Sequence, residues 1–211
     1  MLFQSRAQAG AKLAQELLAL DLRDPFVLAI PRGGLPVGGS VSRTLGCPLD
    51  VIPLVKIPIP WSPDANYGTA APDGSMALNT PLINRLELSR PEIELAAGPA
   101  VHEAQRRELL YRKAALFPSL NGKSVVIVDD GLGSGYSMLA AVDFVKKKDP
   151  RMIVAAAPVA SEAAFRMLAT PPQVNLLFVL VRDPEAVFSL DSYYRDFTPV
   201  TDDDVVRFLT E

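Results

Sequence analysis

A buried strand that runs directly into two acids and three spaced glycines restricts the fold of this sequence more than any other feature. The strand covers Ser124–Val128, and the nine residues after it, Asp129–Ser137, read DDGLGSGYS. A helix is predicted over Met138–Lys148, so the glycines lie between the end of a strand and the beginning of a helix. In open parallel α/β sheets, ligands bind beyond the carboxyl ends of the strands. The pattern therefore predicts an α/β fold with a ligand site at this turn.

Other apolar runs alternate with segments of helical spacing along the rest of the chain. The predicted strands are Phe26–Ile30, Asp50–Val55, Ser124–Val128, Arg151–Ala157 and Val174–Val181. The predicted helices are Ser5–Leu20, Leu35–Leu45, Val101–Phe117 with Pro99 at its start, Met138–Lys148, Glu162–Ala169 and Asp203–Leu209. Strands that are apolar throughout, separated by helices, are typical of a central parallel sheet of roughly five strands with helices on both faces.

One long segment departs from this alternation. Prolines and glycines recur through Lys56–Asn79, which predicts a long loop with a β-hairpin around Tyr67–Leu78. Long loops in compact domains are often functional lids. The segment of about 56–80 is therefore expected to be a mobile lid.

The composition excludes several classes of protein. The 211 residues favour one domain with a lobe, at about 150 residues per domain. Lys and Arg total 21 and Asp and Glu 24, and the resulting net charge of −3 argues against a nucleic-acid partner. The sequence has one cysteine, Cys47, which excludes an internal disulfide. It has one histidine, His102, which excludes a multi-histidine metal centre. No stretch approaches the ~20 apolar residues of a membrane span, so no membrane partner and a cytoplasmic location are expected.

The turn after Val128 has the chemistry of a sugar-phosphate site. Glycines let backbone N–H groups converge on an anion, and the following helix N-terminus adds a favourable field. Ser134 and Ser137 add hydroxyl donors. Asp129 and Asp130 supply acceptors for the vicinal hydroxyls of a sugar, so a sugar phosphate fits both halves of the segment.

Three other interpretations apply to the same segment. A dinucleotide-binding fingerprint needs an acid at the end of the next strand, where this sequence has Ala155-Ala156-Ala157-Pro158. A P-loop needs Gly-Lys-Ser/Thr, which is absent here. An Asp-Gly pair alone could merely end a strand and cap a helix, but the full combination of paired acids, three glycines and two serines favours a binding loop.

These residues resemble a known family. Val125–Ser137 resembles the ribose-5-phosphate motif of type I phosphoribosyltransferases, with Ser134 where the family usually has Thr. Pro31-Arg32-Gly33-Gly34 is similar to the pyrophosphate loop of that superfamily. The tail, with Tyr193-Tyr194, Asp196-Phe197 and Val200-Thr201-Asp202, resembles a bacterial and archaeal family of predicted phosphoribosyltransferases of unassigned substrate.

The resemblance implies a phosphoribosyltransferase type I fold over the single domain 1–211. A small hood is expected from about 1–20 and 182–211, with the lid over 56–80. The implied activity is transfer of a 5-phosphoribosyl group from phosphoribosyl pyrophosphate (PRPP) to a nitrogenous acceptor, with a nucleobase expected, and release of pyrophosphate. Mg²⁺ is the implied cofactor and a homodimer the implied assembly. The alternative is a PRPP- or nucleotide-binding regulator that has lost transferase activity.

The resemblance also implies roles for individual residues. Asp129 and Asp130 are the expected catalytic pair and would hold the ribose 2- and 3-hydroxyls. The expected 5-phosphate cradle consists of Gly131, Leu132, Gly133, Ser134, Gly135, Tyr136 and Ser137. The expected pyrophosphate-binding residues are Arg32, Gly33, Gly34 and Lys56, with a non-proline cis peptide bond at or near Arg32. No metal ligand is assigned, although Asp129, Asp130 and Asp191 are candidates.

Two positions depart from the family pattern. Hypoxanthine-type relatives place an acid, acting as general base, where this sequence has Gly133, so a base must lie elsewhere or the acceptor needs none. Tyr136 stands where relatives commonly have a small residue, and its ring either turns away from the phosphate or narrows the site. Four aromatic residues, Phe188, Tyr193, Tyr194 and Phe197, either stack on a flat base or pack the lobe.

Overall fold

The protein is built around one parallel sheet with helices on both faces, as predicted. The structure, a computed structural model, describes residues 2–113, 115–170, 173–185 and 187–210. The strands of this sheet are β1 (Pro25–Ala29), β2 (Leu49–Val51), β6 (Ser124–Val128), β7 (Met152–Ser161) and β8 (Leu176–Asp183). Their order is β2-β1-β6-β7-β8, and every neighbouring pair is parallel. The remaining positions, 1, 114, 171, 172, 186 and 211, lie outside the described residues. They belong to the predicted domain 1–211, and some of them to the predicted hood or to the predicted helix Val101–Phe117.

Alternate side chains of the central strand β6 enter two separate apolar layers. Val125 and Ile127 face the layer formed with helices α5 (Tyr136–Lys146) and α6 (Glu162–Ala169). Val126 and Val128 face the layer formed with α1 (Arg6–Leu17) and α2 (Gly34–Leu45). Because side chains of a strand alternate between faces, burial on both sides requires the uninterrupted apolar run that the sequence contains.

The segment predicted to be a long loop is largely strand, which corrects that prediction. It forms a second, antiparallel sheet of β3 (Val55–Ile59), β4 (Ser62–Ala70) and β5 (Met76–Leu78), in the order β3-β4-β5. The predicted hairpin is present, with Gly68 paired to Leu78. Pro58 lies where the register between β3 and β4 shifts, and prolines are tolerated at such irregular positions and at strand starts. The predicted strand Asp50–Val55 is therefore two strands in two different sheets.

Two helices follow the small sheet, and the boundaries of the second were predicted incorrectly. They are α3 (Thr80–Arg85), which was not predicted, and α4 (Arg90–Arg112). Helix α4 begins nine residues before Pro99, because Ser89 and Glu92 form a capping box that starts it. Pro99 lies inside the helix, and the chain leaves it at Lys113, which has a left-handed backbone.

The chain ends meet at one edge of the parallel sheet. Phe3 forms a parallel bridge to Tyr194, and the backbone N–H of Arg195 donates to the Phe3 carbonyl. A short 3₁₀ turn (Leu190–Tyr193) precedes this contact. Helix α7 (Asp202–Thr210) packs against α2, with the Phe208 ring on Gly39. Within the described residues, none of the helices has both the length and the apolar character of a membrane-spanning helix.

Candidate functional site

The predicted phosphate loop is held in place by the end of strand β7. The N–H of Leu132 donates to the Val159 carbonyl at 2.9 Å, and the N–H of Ser161 donates to the Leu132 carbonyl at 2.9 Å. The Ser161 hydroxyl donates to the Gly133 carbonyl at 2.6 Å. Gly135 caps α5 with a positive φ of 81°, a conformation that glycine adopts without steric cost. The loop therefore has a fixed shape and ends at a helix N-terminus, as an anion site requires.

The predicted pyrophosphate loop lies directly against the acid pair. The peptide bond between Pro31 and Arg32 is cis, as the resemblance implies. A Cβ on Gly33 would lie 2.1 Å from Oδ2 of Asp130, and one on Gly34 would lie 2.8 Å from the Val128 carbonyl oxygen. Only residues without a side chain fit here, so the two glycines let the two loops approach each other.

Most of the predicted site residues line one cavity of about 370 Å³ beyond the carboxyl ends of β1 and β6. Those that line it are Arg32, Gly33, Lys56, Asp129, Asp130, Gly131, Leu132, Gly133, Ser134, Gly135 and Ser137. Phe188 and Leu190 of the tail form another part of the wall. Lys56 was predicted at the end of the second strand of the parallel sheet. It reaches the cavity instead from β3 of the small sheet.

Three predicted residues do not line this cavity. Tyr136 is half-buried and packs against the apolar layer beneath α5, so its ring leaves the phosphate loop open. Gly34 is buried at the end of the pyrophosphate loop, where it begins α2. Asp191 is exposed and accepts a hydrogen bond from the Ser189 hydroxyl.

The two acids of the motif have different surroundings. Desolvation, together with the neighbouring Asp130 carboxylate, raises the pKa of Asp129 well above its usual range, although Lys56 acts in the opposite direction. The Asp130 side chain is only 10% exposed and pairs with Arg6, whose Nε lies 2.6 Å from Oδ2 of Asp130. Asp129 is therefore the acid whose carboxylate is available to a ligand, while the carboxylate of Asp130 is already bound by Arg6.

Sequence reasoning missed the residues that hold Asp130. Besides its bond to Asp130, Arg6 donates from Nη1 to the Thr198 carbonyl at 2.9 Å, and its guanidinium lies 3.8 Å from the Phe197 ring centre. The Tyr194 hydroxyl donates to the Asp130 carbonyl at 2.6 Å. Tyr194 and Phe197 thus pack the tail against the acids, whereas Phe188 lines the cavity. The aromatic tail was a signal for this cluster, but nothing local to Arg6 indicated its partner.

The acids fit a magnesium ion only in combination with a phosphorylated ligand. No group of three or more acidic, histidine or cysteine side chains comes together among the residues that the structure describes. Mg²⁺ usually takes one or two carboxylates and fills its other positions with water and substrate phosphates. Asp129, beside the two loops, can provide one such carboxylate.

Comparison with known proteins finds similarity to phosphoribosyltransferases. The model of the family described as "Phosphoribosyl transferase domain" matches residues 70–169. In Mycobacterium tuberculosis, a relative named "Putative phosphoribosyl transferase" is 32% identical over 209 residues, which cover 99% of this chain and 46% of that protein. The chain thus spans about half the length of this curated relative.

Solved structures agree with this result. The crystal structure of TT1426 from Thermus thermophilus is 34% identical, covers 99% of this chain and 98% of that one, and superposes with a TM-score of 0.80. A purine phosphoribosyltransferase from Pyrococcus horikoshii, 17% identical and matched over 95% of this chain and 97% of its own, has the same fold with a TM-score of 0.50. The chain has the phosphoribosyltransferase type I fold, and its residues 70–169 belong to the phosphoribosyl transferase domain family.

Proposed function

We propose that the chain binds PRPP and transfers its 5-phosphoribosyl group to a nitrogenous acceptor, with a nucleobase expected, releasing pyrophosphate. The observation that carries the proposal is the convergence of two glycine loops and an acid pair on one cavity. A sugar with a phosphate at one end and a diphosphate at the other needs two anion sites separated by hydroxyl acceptors. The loops Gly131–Ser137 and Arg32–Gly34, with Asp129 and Asp130 between them, have that arrangement.

Each part of the cavity then has a role in holding the donor. The backbone N–H groups of Gly131–Gly135, with the Ser134 and Ser137 hydroxyls, would bind the 5-phosphate at the start of α5. Asp129 would accept hydrogen bonds from the ribose 2- and 3-hydroxyls, with Asp130 behind it. Arg32 and Lys56 would bind the diphosphate as cations, beside the backbone of Gly33 and Gly34.

The chemistry required of the protein is mainly positioning. The bond between the anomeric carbon and the diphosphate oxygen breaks, the acceptor nitrogen forms the new bond, and the bonding electrons leave with pyrophosphate. Mg²⁺, held by donor oxygens and Asp129, would supply charge neutralisation of the leaving group. The cations Arg32 and Lys56 would favour the charge that develops there. Holding the acceptor against the anomeric carbon while excluding water prevents hydrolysis of the donor.

The acceptor would lie against the tail side of the cavity. The Phe188 ring approaches Gly133 closely, at 3.6 Å from the position that a Cβ there would occupy. Phe188 also stacks on Tyr193, with ring centres 6.0 Å apart, which holds its face in a set orientation. A flat heterocycle can stack on this ring. Gly133 provides no general base. Either another group or solvent takes the proton of the acceptor nitrogen, or the acceptor attacks through a nitrogen that carries no proton.

Calorimetry with PRPP, with and without Mg²⁺, is the first test of the proposal. We expect Mg²⁺-dependent binding that is lost in Asp129→Asn, because the amide NH₂ cannot accept a hydrogen bond from a ribose hydroxyl. Asp64→Asn, an exposed acid outside the cavity, is the matched control and should bind as the wild type does. Unchanged PRPP affinity in Asp129→Asn would overturn the assignment of the ribose site.

A second assay separates transfer from binding alone. The protein is incubated with PRPP, Mg²⁺ and each of a panel of nucleobases, and pyrophosphate release is measured. Release that depends on one base identifies the acceptor. PRPP binding with no release for any base would contradict the transferase assignment and indicate a PRPP-binding regulator.

A further inference from the structure

A second cavity lies against the predicted pyrophosphate loop. Its volume is about 580 Å³, and it shares Pro31–Gly33, Leu54, Lys56 and Asp130 with the first cavity. The other part of its wall comes from elements that the donor-binding motifs do not include. Arg107 of helix α4 and Arg6 of helix α1 line it, together with an apolar wall of Phe197, Pro199 and Val200.

The lining of this second cavity is strongly cationic. Four basic side chains face it, Arg6, Arg32, Lys56 and Arg107, and Asp130 is the one acid among its described lining residues. A concave site with this excess of positive charge attracts a multiply charged anion. Asp130 is already paired with Arg6, so its carboxylate opposes such an anion less than a free one would.

Two arginines of the second cavity, Arg107 and Arg32, are oriented by acids outside its wall. Glu103 accepts from Nε of Arg107 at 2.7 Å, and Asp202 lies 3.7 Å from Nη1 of Arg32. Arg107 is 22% exposed, so its guanidinium is held at the edge of the cavity. The five N–H donors of a guanidinium match the geometry of phosphate oxygens, and one acid partner leaves several of them available.

We propose that Arg107 of α4 is a further ligand of the diphosphate group that Arg32 and Lys56 would bind, reached through the second cavity. The identity of the bound molecule rests on the proposed function, because the leaving group of PRPP is a diphosphate adjacent to Arg32–Gly34. A nucleoside diphosphate carries the same group and is the other source. In either case Arg107, which lies on α4, adds a positive charge to those of Arg32 and Lys56. Release of pyrophosphate then depends on a helix outside the motifs.

The adjacent residue Arg106 provides a matched control for Arg107. Both arginines bond to Glu103, Arg107 through one hydrogen bond and Arg106 through two, and Arg106 also lies 3.6 Å from Asp202. Either substitution removes one positive charge beside Glu103, and the Arg106 variant loses at least as many contacts as the Arg107 variant. Arg106 is 57% exposed and does not line the cavity, whereas Arg107 does. A difference between the two variants therefore reports on the cavity and not on the charge of α4.

Titration with inorganic pyrophosphate in the presence of Mg²⁺ is the decisive measurement. We expect Arg107→Gln to bind pyrophosphate at least about tenfold more weakly than wild type, because it loses hydrogen bonds between charged groups. Arg106→Gln should bind within about twofold of wild type, and Arg107→Lys, which retains the charge, should lie between the wild type and Arg107→Gln. Equal affinities of the two glutamine variants, or no pyrophosphate binding by the wild type, would overturn the proposal. Circular dichroism checks that each variant is folded.

Parallel titrations with PRPP and with ADP identify the source of the diphosphate. Weaker PRPP binding in Arg107→Gln supports the leaving group of the donor, and weaker ADP binding with unchanged PRPP binding supports a separate nucleotide. The Asp129→Asn variant separates this inference from the proposed function. If Asp129→Asn loses PRPP binding while Arg107→Gln binds pyrophosphate with full affinity, only the role of Arg107 and the second cavity is refuted. If pyrophosphate binding depends on Arg107 but the wild-type protein does not bind PRPP, only the donor assignment is refuted.

Discussion

The Nε of Arg6 lies 2.6 Å from Oδ2 of Asp130, although the two residues are 124 positions apart in the chain. Both side chains are 10% exposed, so the ion pair is shielded from water on nearly all sides. It joins the first turn of α1 to the loop that follows β6. Because Arg6 also bonds to the Thr198 carbonyl, one side chain connects the first helix, the acid pair and the tail.

Removal of the arginine from this ion pair is expected to destabilise the protein strongly. Arg6→Met preserves much of the side-chain volume but leaves the Asp130 carboxylate buried without its partner, a change that costs about 3–5 kcal/mol in comparable cases. The free energy of unfolding in urea is the measurement. Arg166→Met is the control, because Arg166 is 77% exposed in its pair with Glu162, and surface pairs contribute only ~0–1 kcal/mol. A loss for Arg6→Met no larger than that for the control would contradict the structural role of the pair.

The parallel sheet and its main loop could be predicted because their signals are local. Ser124–Val128 is apolar at every position after the first, and the acids and glycines follow without interruption. A strand buried on both faces needs such a run, and a tight anion loop needs such glycines. Both requirements are visible within about fifteen consecutive residues.

The small sheet and the partner of Asp130 could not be predicted for a different reason. Prolines normally argue against strands, and Pro58 is accommodated only because the register of β3 against β4 shifts there. That shift is a property of two paired strands and not of one. Likewise, Arg6 has the sequence context of an ordinary polar residue on an amphipathic helix, and only the packing of α1 on the sheet brings it to Asp130.

The pKa of Asp129 predicts a pH-dependent gain of stability in Asp129→Asn. Desolvation and the Asp130 carboxylate raise the pKa of Asp129 in the folded state. An acid whose folded pKa is raised disfavours folding when ionised. This penalty decreases as the pH falls through the raised folded pKa and is gone below the unfolded pKa of ~3.9. We therefore expect Asp129→Asn to have a higher melting temperature than wild type near pH 8, with the difference shrinking towards pH 4. The asparagine can still accept the N–H of Asp130, which bonds to Oδ1 at 2.9 Å. A variant that is less stable than wild type at pH 8 would contradict the raised pKa.

An added methyl group at Gly34 is expected to impair both stability and ligand binding. Its Cβ would lie 2.8 Å from the Val128 carbonyl oxygen and 3.0 Å from the Cα of Asp129, and neither backbone atom can move away alone. Gly34→Ala should cost about 1–3 kcal/mol, as other overpacked sites do, and should weaken PRPP binding by displacing Asp129. Melting curves and calorimetry measure the two effects.

Gly74→Ala is the control for the effect of adding a methyl group to a glycine. Gly74 has a φ of 81° and open space around its Cβ position. The substitution should cost about 1–2 kcal/mol through the left-handed backbone alone and leave PRPP affinity unchanged. Equal effects of the two variants on affinity would show that the contact of Gly34 with the acid loop has no part in binding.

The Tyr194 hydroxyl is expected to contribute to stability by fixing the backbone of the acid pair. Burial raises the pKa of Tyr194, so the hydroxyl keeps its proton and donates to the Asp130 carbonyl at 2.6 Å. Tyr194→Phe retains the ring that packs on Phe3 and Phe197 and leaves this buried carbonyl without its donor. We expect a loss of about 1–3 kcal/mol in the free energy of unfolding, measured in urea. Tyr67→Phe removes a longer bond, 3.4 Å to the Ile93 carbonyl, and should cost less. If the two phenylalanine variants lost equal stability, the bond to Asp130 would contribute no more than an ordinary tyrosine contact.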